Sequence, residues 1–481
     1  MAAALPPGWP APPAHLHFLG ICGYSVSGLA LLCRGLGYRV TGSDEDAYPP
    51  TTLILTEAGV DFADRHRAEN LGRWGEPALV VLGNQVQRSN PELVAAQELA
   101  LLLISEAEAY GALTGTRRRA VICGSHGKTT TSTLAALMLD RAGFGAGFRL
   151  GATALDFGQS ARLGDPTDGS PFVFEGDEYT TSALDPRAKF LHWRPQVVTL
   201  LNLELDHPDL YPDLQAYSAP YRELVRGLPE DGLLLYNRTD PKALELARES
   251  RAPVLAFGAR DGDWRLRGRP SLRGGRMRLR VRGPEGEELE MDLASCGAHQ
   301  ASNALAALAT AVGLGADPAA AARAAQDFHG AARRFQVLGQ ARGVTVVDDY
   351  AHHPTKLRAT IAQAKQQFGS EVQLAMVHVP HTYSRTRALL PRYRGAFSGL
   401  DLLVLGPIEP ARERDLAGTV SSADLAALAR GVETVLVGSA EEAIDAVIRR
   451  LRPPAVVVCS SVRGFDLVAG RLLAALQEWD A

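Results

Sequence analysis

Directly after the apolar run Arg119-Ala120-Val121-Ile122-Cys123, the chain carries the stretch Gly124-Ser125-His126-Gly127-Lys128-Thr129-Thr130-Thr131. A strand, a glycine loop and the start of a helix form the setting in which backbone N–H groups and a helix N-terminus hold phosphate. Lys128 adds a full positive charge, and the hydroxyl of Thr129 is a suitable ligand for Mg²⁺. The loop departs from the general P-loop spacing, because Ile122 stands where the first glycine would be. The setting still predicts an ATP site more strongly than an ordinary turn.

Two further apolar runs in the same part of the chain end in ionisable residues. Residues 171–174 lead into Glu175-Gly176-Asp177-Glu178-Tyr179, and residues 196–201 lead into Asn202-Leu203-Glu204-Leu205-Asp206-His207. In parallel sheets, ligands gather beyond the carboxyl ends of the strands. The pattern therefore predicts that Glu175 and His207 meet the bound phosphates, as Mg²⁺ ligands or through water molecules. The alternative is that they are solvated loop residues.

The N-terminal part of the chain has the pattern of a βαβ nucleotide-binding unit. Residues 15–19 lead into a loop that contains Gly20, Gly23 and Gly28, a helical run follows, and the second strand, 38–44, ends in an acidic residue. The glycine spacing is not G-x-G-x-x-G, which argues against a nicotinamide cofactor. The loop amides are instead candidates for binding the diphosphate of another nucleotide, with a purely structural turn as the alternative.

The C-terminal part contains two strands that end in clusters of ionisable residues. Residues 344–347 lead into Asp348-Asp349-Tyr350-Ala351-His352-His353-Pro354-Thr355, and residues 373–379 lead into Pro380-His381-Thr382-Tyr383-Ser384-Arg385-Thr386-Arg387. Two successive clusters of this kind favour a binding site over a purely structural interpretation. Before them, Asn303 lies in a strongly helical run, and its amide is suited to pair with an adenine edge.

The length and composition indicate an ordinary globular protein of about three domains. The 481 residues are 46% hydrophobic and 22% charged, and the formal net charge is −4. This charge gives no reason to expect nucleic acid or a membrane as a partner, and no apolar run reaches the roughly 18–20 residues that span a bilayer. The five scattered cysteines predict reduced core thiols. Residues 1–14 indicate a flexible tail without a signal peptide, and we expect a cytoplasmic protein.

Together, these motifs resemble those of the Mur ligases, the ATP-dependent amide ligases of peptidoglycan assembly. The resemblance starts near His15 and rests on motifs that occur in order, namely the phosphate loop, Glu175-Gly-Asp-Glu, Asn202…Asp206-His207, His299…Asn303, Arg333-Arg334-Phe335 and the cluster from Asp348 to Thr355. It implies an α/β fold of three domains. These are a Rossmann-like UDP-muramoyl-binding domain (15–113), a central P-loop ATPase-type mixed sheet with a small antiparallel sheet (114–328), and a Rossmann-like amine-substrate domain (329–481).

The resemblance also implies roles for individual residues. The catalytic residues would be Lys128, Glu175, His207 and Arg334, and the metal ligands would be Thr129, Glu175 and His207. The residues that would bind ATP are Gly124, Ser125, His126, Gly127, Lys128, Thr129, Thr130, His299, Asn303, Arg334, Asp349 and His352. Those that would bind the UDP-sugar are Gly20, Cys22, Gly23, Tyr24, Ser43, Asp44 and Asn84. Those that would contact the amine substrate are Tyr350, His381 and Arg385.

The implied reaction joins an amine to UDP-N-acetylmuramate through an acyl phosphate, with ATP and Mg²⁺ as cofactors. The stretches 177–179 and 185–192 favour a recycling ligase that adds the tripeptide L-Ala-γ-D-Glu-diamino acid. The stretch 380–386 instead favours addition of L-alanine, although Thr382 stands where a basic residue is usual. We predict the tripeptide as the amine substrate, with L-alanine as the alternative, and a monomer or weak homodimer.

Two other classes of protein share some of these features. A UDP-sugar-binding or nucleotide-sensing protein would retain the fold without ligation, and a nicotinamide oxidoreductase would use the N-terminal unit and leave the phosphate loop idle. The intact set Lys128, Glu175, His207 and Arg334 favours a ligase, because a protein that only binds has no need of a metal site beside a phosphate loop.

Overall fold

In the residues that the structure describes, three β-sheets, each with helices between its strands, follow one another along the chain. The computed structural model describes residues 9–45, 47, 49, 51–206, 210–411, 413–462, 465 and 468–478. The sheets lie within residues 15–105, 118–293 and 336–460. This arrangement confirms the predicted α/β class, while the domain boundaries at 113/114 and 328/329 stay predictions.

The first sheet is parallel throughout its described strands. These strands are β1 (His15–Leu19), β2 (Arg39–Ser43), β3 (Asp61–Ala63), β4 (Leu79–Leu82) and β5 (Leu103–Ser105). The helices around it are α1 (Tyr24–Gly35), α2 (Thr51–Glu57), α3 (Asn70–Arg73), α4 (Pro91–Glu98) and α5 (Glu106–Leu113). The strand order is β3-β2-β1-β4-β5, so it reverses between β1 and β4. A crevice for ligands forms beyond the carboxyl ends of strands at such a reversal.

Side-chain caps fix where the chain turns into the helices after β4 and β5. The Asn90 side chain accepts hydrogen bonds from the backbone N–H groups of Glu92 and Leu93 at the start of α4. Ser105 forms a capping box with Glu108 at the start of α5. The first of these caps holds the loop between β4 and α4 beside the crevice.

The central sheet combines a parallel core with antiparallel edges. Its strands are β6 (Arg118–Cys123), β7 (Gly147–Ala154), β8 (Gln159–Arg162), β9 (Pro171–Gly176), β10 (Val197–Leu200), β11 (Leu233–Asn237), β12 (Val254–Gly258), β13 (Trp264–Leu266), β14 (Ser271–Arg273), β15 (Arg276–Arg282) and β16 (Glu288–Leu293). Its helices are α6 (Lys128–Arg141), α7 (Leu214–Arg226), α8 (Pro241–Ala247), α9 (Ala298–Gly313) and α10 (Pro318–Ala324). The order is β14-β15-β13-β12-β11-β10-β6-β9-β7-β8, with β16 on β15.

The predicted antiparallel segment is present, but it is not a separate sheet. Strand β13 pairs in parallel with β12, for example Trp264 opposite Phe257, and then antiparallel with β15. Because β12 would otherwise leave an open edge, the antiparallel strands continue the same sheet and cover it. The alternating burial of β15 shows that one of its faces packs on the core.

Helix α6 is enclosed because α9 packs against it in the core of the central sheet. The run from Leu134 to Leu139 on α6 is buried, and the alanines of α9 allow close approach. Burial of this kind holds the first turn of α6 in place, and with it the phosphate loop.

The third sheet is parallel except at one edge. Its strands are β17 (Gln336–Ala341), β18 (Val344–Asp349), β19 (Gln373–His378), β20 (Leu402–Leu405), β21 (Glu433–Leu436) and β22 (Ala455–Ser460). Its helices are α11 (Pro354–Phe368), α12 (Tyr383–Leu389), α13 (Ser422–Ala426), α14 (Ala440–Ile448) and α15 (Val468–Glu478). The order is β17-β18-β22-β19-β20-β21, with β17 antiparallel to β18. The carboxyl ends of β18 and β19 face the central part of the chain.

The cysteines are buried, and none of the described helices could span a membrane. All five cysteines are free and buried, which confirms the prediction of reduced core thiols. Burial raises the pKa of the Cys22 thiol to about 12, so it is unreactive at neutral pH. Among the described helices, none combines the length and the apolar character needed to cross a bilayer.

Candidate active site

The phosphate loop joins β6 to α6 and is held by the end of β10. Gly124 has φ 133° and Gly127 has φ 86°, a backbone region that favours glycine. A side chain at Gly127 would also collide with the amide of Asn303 on α9. Asn202 Oδ1 accepts from His126 N at 2.8 Å, and Asn202 Nδ2 donates to His126 O at 3.0 Å. Contacts within the protein therefore fix the shape of the loop.

Lys128 begins α6 and directs its ammonium group at a buried carboxylate. Its Nζ donates to Glu178 Oε2 at 2.9 Å, and the hydroxyls of Tyr217 and Tyr221 donate to the same carboxylate at 3.1 and 3.2 Å. Burial by itself lowers the pKa of Lys128, but Glu178 and Asp177 outweigh it and raise that pKa. Lys128 is therefore a charged cation at the phosphate loop throughout the physiological pH range.

Thr129, Glu175 and Arg334 meet beside this lysine. Thr129 Oγ1 donates to Glu175 Oε1 at 2.7 Å, and Gly151 N donates to Glu175 Oε2 at 2.6 Å. Arg334 Nη2 donates to Thr129 Oγ1 at 3.1 Å, although Arg334 follows Thr129 by 205 residues in the chain. Burial and the neighbouring Asp177 raise the pKa of Glu175. A hydroxyl and a buried carboxylate are oxygen ligands of the kind that Mg²⁺ prefers.

Arg149 is a buried part of the site that no sequence motif indicated. Its Nη1 donates to Asp177 Oδ2 and to Glu175 O, both at 3.0 Å, and its Nε donates to Ser25 Oγ at 2.8 Å. The side chain is 2% exposed and lies 3.4 Å from Glu106. Arg149 therefore links α1 and α5 of the first sheet to the end of β9. An arginine within the otherwise apolar start of β7 was the available signal.

Charged residues of the C-terminal part pack on the end of β10. Lys356 Nζ lies 3.0 Å from Asp206 Oδ2, and Arg392 Nη2 lies 2.7 Å from Glu204 Oε2. Arg385 Nε donates to Asp206 O at 3.2 Å. His126 of the phosphate loop also hydrogen-bonds Glu204. These pairs bring the carboxyl ends of β18 and β19 next to the phosphate loop.

A cavity of about 460 Å³ lies between the phosphate loop, α9 and α11. The predicted ATP-binding residues on its wall are His126, Gly127, Thr130, His299, Asn303, Arg334 and Asp349. Gly124, Ser125, Lys128 and Thr129 form the adjoining loop and the first turn of α6, whereas His352 lies outside the wall. The carboxylate of Asp349 accepts from Phe335 N and Ala351 N, each at 2.7 Å, so it also shapes the backbone here.

The predicted amine-substrate residues lie together at the ends of β18 and β19. The guanidinium of Arg334 is 4.8 Å from the ring centroid of Tyr350, and His352 Nδ1 lies 2.8 Å from Tyr350 O. The rings of His352 and His381 are 5.9 Å apart, and Arg385 is buried one helical turn further on. Burial lowers the pKa of His352 well below its usual value, so the ring is neutral. This cluster of side chains contains the neutral imidazole of His352 and the guanidinium groups of Arg334 and Arg385.

A second and larger space, the N-terminal cleft, lies at the carboxyl ends of β1, β2 and β4 and has a volume of about 950 Å³. The predicted UDP-sugar residues on its wall are Gly20, Cys22, Gly23, Tyr24, Asp44 and Asn84. Asp44 Oδ2 accepts from Cys22 N at 2.8 Å, which fixes the glycine turn. Ser43 is fully buried behind the wall and bonds to other side chains, so its predicted direct contact with the UDP-sugar does not match its position.

Other residues of the cleft were not predicted from the sequence. His66, which follows β3, and Gln85 and Gln87, which follow β4, lie on the wall. Arg414 lies there too, although it belongs to the C-terminal part of the chain. Single polar residues after short strands, such as His66, do not form a motif that can be recognised in a sequence. Arg414 is more than 300 residues away from the N-terminal residues of the wall, so no local pattern indicates its position.

The remaining predicted residue, His207, lies outside the described residues, and its predicted catalytic and metal-binding roles stay predictions. The described residue before it, Asp206, is buried in the loop that follows β10.

Family models match the chain in three consecutive segments. They are the Mur ligase family catalytic domain (residues 15–118), the Mur ligase middle domain (residues 122–311) and the Mur ligase glutamate ligase domain (residues 333–463). The matches follow the three sheets in order.

Similar proteins carry two different names. The UDP-N-acetylmuramate–L-alanine ligase of Paenarthrobacter aurescens (strain TC1) is 35% identical over 443 residues, 90% of each chain. The UDP-N-acetylmuramate–L-alanyl-gamma-D-glutamyl-meso-2,6-diaminoheptandioate ligase of Escherichia coli (strain K12) is 34% identical over 368 residues, 76% of this chain and 79% of that protein. The crystal structure of a murein peptide ligase from Psychrobacter arcticus 273-4 matches with a TM-score of 0.75 at 28% identity, and covers 97% of this chain and 100% of that one.

A phosphate loop with a hydroxyl and a carboxylate beside it, faced by cations from a separate sheet, is typical of enzymes that act on nucleotide phosphates. The comparisons narrow this class. The chain belongs to the Mur ligase family and is an ATP-dependent carbon–nitrogen ligase.

Proposed function

We propose that the protein joins the tripeptide L-Ala-γ-D-Glu-diamino acid to UDP-N-acetylmuramate, with hydrolysis of ATP to ADP and phosphate. The observation that carries the proposal is the contact of Arg334 with Thr129 at 3.1 Å. It joins the phosphate loop to the sheet that bears the amine-side residues. Phosphoryl transfer and amide formation therefore have adjacent sites, as a two-step ligation through an acyl phosphate requires.

In the first step, the lactyl carboxylate of the sugar nucleotide attacks the γ-phosphate of ATP. Lys128 and Arg334 supply positive charge to the transferring group, which stabilises its negative charge in the transition state. Thr129 and Glu175 are the described residues that would hold Mg²⁺, and the ion would neutralise charge on the phosphates. The phosphates compete with the Glu178 carboxylate for the ammonium group of Lys128. The hydrogen bond between Lys128 and Glu178 therefore weakens when ATP binds.

In the second step, the incoming amine attacks the acyl carbon and phosphate leaves. His352 Nδ1 donates to Tyr350 O, so a neutral ring keeps Nε2 free of a proton. This nitrogen is suited to accept a hydrogen bond from the amine and to orient its lone pair. Arg385 and His381 follow the neighbouring strand β19, and they would bind the carboxylate of the amine substrate.

The choice of the tripeptide rests on the stretch 177–192 and on the similar proteins that are named for a tripeptide-like substrate. The tripeptide has several carboxylates, and the loop after β20 adds a further cation, Arg414, on the wall of the N-terminal cleft. Glu413 beside it accepts from Ser384 N at 2.8 Å, so the loop lies against the start of α12. L-alanine has a single carboxylate, which Arg385 alone would satisfy.

L-alanine is a second candidate because of a specific observation. The stretch 380–386 resembles the loop of the alanine-adding members, and a relative named for that reaction matches 90% of the chain. Thr382 favours the tripeptide instead, because its side chain is shorter than the basic residue that is usual there and leaves more room for a substrate.

Phosphate release distinguishes the candidates. The enzyme is incubated with ATP, Mg²⁺ and UDP-N-acetylmuramate, with either L-alanine or the tripeptide, and with each substrate omitted in turn. We expect turnover with the tripeptide and at most trace turnover with L-alanine. The reverse result would assign the protein to de novo stem-peptide synthesis. Absence of turnover with both amines, together with intact UDP binding, would favour the UDP-sugar-binding alternative.

A further inference from the structure

A buried chain of hydrogen bonds lies behind the wall of the N-terminal cleft. His66 Nδ1 is 2.8 Å from Ser43 Oγ, and Ser43 Oγ donates to Glu92 Oε2 at 2.9 Å. Ser43 and Glu92 are fully buried, whereas the ring of His66 lies on the wall of the cleft. We call this chain, Glu92–Ser43–His66, the relay.

Glu92 is an ionised carboxylate that can only accept hydrogen bonds. Besides Ser43, it accepts from Asn70 Nδ2 at 2.5 Å and from Arg67 N at 3.0 Å, and His17 Nε2 lies 2.9 Å away. Burial opposes its ionisation, but hydrogen bonds from His17, His66 and Asn70 outweigh burial and lower the pKa of Glu92 to about 2. The carboxylate is therefore charged at any pH at which the protein works.

The charge on Glu92 sets the direction of every hydrogen bond in the relay. The one hydroxyl proton of Ser43 must point at Glu92, because two acceptors at 2.9 Å would repel each other. The oxygen of Ser43 can then only accept from His66, so His66 Nδ1 carries the proton. A neutral imidazole has one N–H, and its Nε2, on the far side of the ring from Ser43, is then a bare acceptor.

His66 lies at the end of the cleft where a base is better accommodated than a phosphate. Glu45 lies beside it, because Glu45 Oε2 accepts from His66 N at 3.3 Å, and this carboxylate would repel a diphosphate. The glycine turn at Gly20 and Gly23, at the start of α1, is the end suited to the diphosphate. An acceptor at the base end matches uracil, whose N3 is a donor, and opposes cytosine, whose N3 is an acceptor.

We propose that Glu92 and Ser43 are positioning residues that fix the Nδ1–H form of His66, so that the cleft selects uracil over cytosine. This inference rests on the proposed function, because it takes the cleft to be the UDP site. Glu92 and Ser43 act without touching the nucleotide, and His66 makes the contact with the base.

The test measures the affinities of UDP and CDP for the full-length protein by titration calorimetry. We expect the wild type to prefer UDP by at least about tenfold, the discrimination typical of one hydrogen bond made or left unpaired. Ser43→Ala removes the link to Glu92, and we expect the UDP:CDP ratio to fall about fivefold or more. Thr41→Val is the matched control, because Thr41 is a buried hydroxyl that hydrogen-bonds His15 and His17 but not His66. We expect its ratio to equal that of the wild type.

His66→Ala keeps the proposal testable if Ser43→Ala folds poorly, since His66 lies on the cleft wall. We expect His66→Ala to abolish the preference, and Ser43→Ala to add nothing in that background. An unchanged ratio in a folded Ser43→Ala or in His66→Ala would overturn the inference and leave the ligase proposal intact. Failure of the wild type to bind UDP at all would instead contradict the proposed function itself.

Discussion

The phosphate loop and the N-terminal cleft both use a glycine turn between a strand and a helix, but they hold their functional groups differently. In the phosphate loop, Lys128 and Thr129 are adjacent in the chain and lie on the first turn of α6. In the cleft, His66 lies 23 residues after Ser43, and Glu92 lies 49 residues after Ser43. One site is built on a short segment, and the other depends on a buried carboxylate that ties distant segments together.

This difference predicts two kinds of sensitivity. A change in the phosphate loop removes charge from the transferring phosphate, so it lowers turnover. A change in the relay removes a buried hydrogen bond behind the cleft wall, so it lowers the stability of the protein and its selectivity for the base. Substitutions in the two regions therefore have different signatures in the same set of measurements.

The largest effect is expected for Lys128→Met. Turnover in the phosphate-release assay should fall by about 10³-fold, because the cation at the transferring phosphate is lost. The same change leaves Glu178 buried without its cation, which costs on the order of 3–5 kcal/mol. The double variant Lys128→Met with Glu178→Gln should recover the thermal midpoint but not the turnover. Recovery of turnover in the double variant would contradict the assigned role of Lys128.

Arg334→Ala tests whether a residue of the C-terminal part acts on the same phosphoryl group as Lys128 of the central part. We expect kcat to fall by about 10²-fold, because a charge that stabilises the transition state is removed. The affinity for UDP should stay unchanged, since Arg334 is not on the wall of the N-terminal cleft. Arg323→Ala is the matched control, as Arg323 is an exposed arginine on α10. Equal losses of kcat in the two variants would argue against a specific role for Arg334.

Glu92→Gln should have the smallest effect on the chemical step and a distinct effect on stability. The pKa of Glu92 is about 2 in the folded protein, below its ordinary value of 4.5, so its contribution is present above about pH 4.5 and is lost as the pH falls toward 2. The shift corresponds to about 3 kcal/mol at neutral pH. We expect Glu92→Gln to lower the thermal midpoint at pH 7, and the difference from wild type to shrink at pH 4 and below.

The control for this pH dependence is Glu285→Gln, an exposed carboxylate on the loop between β15 and β16. Its thermal midpoint should follow that of the wild type at every pH. A Glu92→Gln difference that stayed constant from pH 7 to pH 3 would show that ionisation of Glu92 is not the source of its effect.

Much of the phosphate-loop site could be predicted because its information is local. The strand, the glycines, Lys128 and Thr129 occur within a dozen residues. The resemblance, not this local pattern, pointed to Asn303, His299 and Asp349, which line the adjoining cavity. Acidic residues at strand ends were also informative, since parallel strands bring their carboxyl ends to one edge. Glu175 lies beside Thr129 for this reason.

The partners of these residues were not predictable in the same way. Glu178 was part of a recognised motif, but its pairing with Lys128 depends on two tyrosines of α7 that enclose it. Arg149 reaches from β7 to Ser25 of the first sheet, and no local pattern encodes that contact. The family resemblance implied that Ser43, the last residue of β2, contacts the nucleotide, whereas its side chain is buried and donates to Glu92.

The amino-acid sequence was sufficient for the α/β class, the order of the motifs and the phosphate-binding chemistry, because these depend on strand periodicity, glycine conformation and adjacent charges. The tertiary structure was needed for the pairing of Lys128 with Glu178, the reach of Arg334 to Thr129, the edge position of the antiparallel strands and the relay behind the cleft. The physical reason is burial. A charge or hydroxyl taken out of water must find its partner wherever the fold provides one, and that partner can lie far away in the chain.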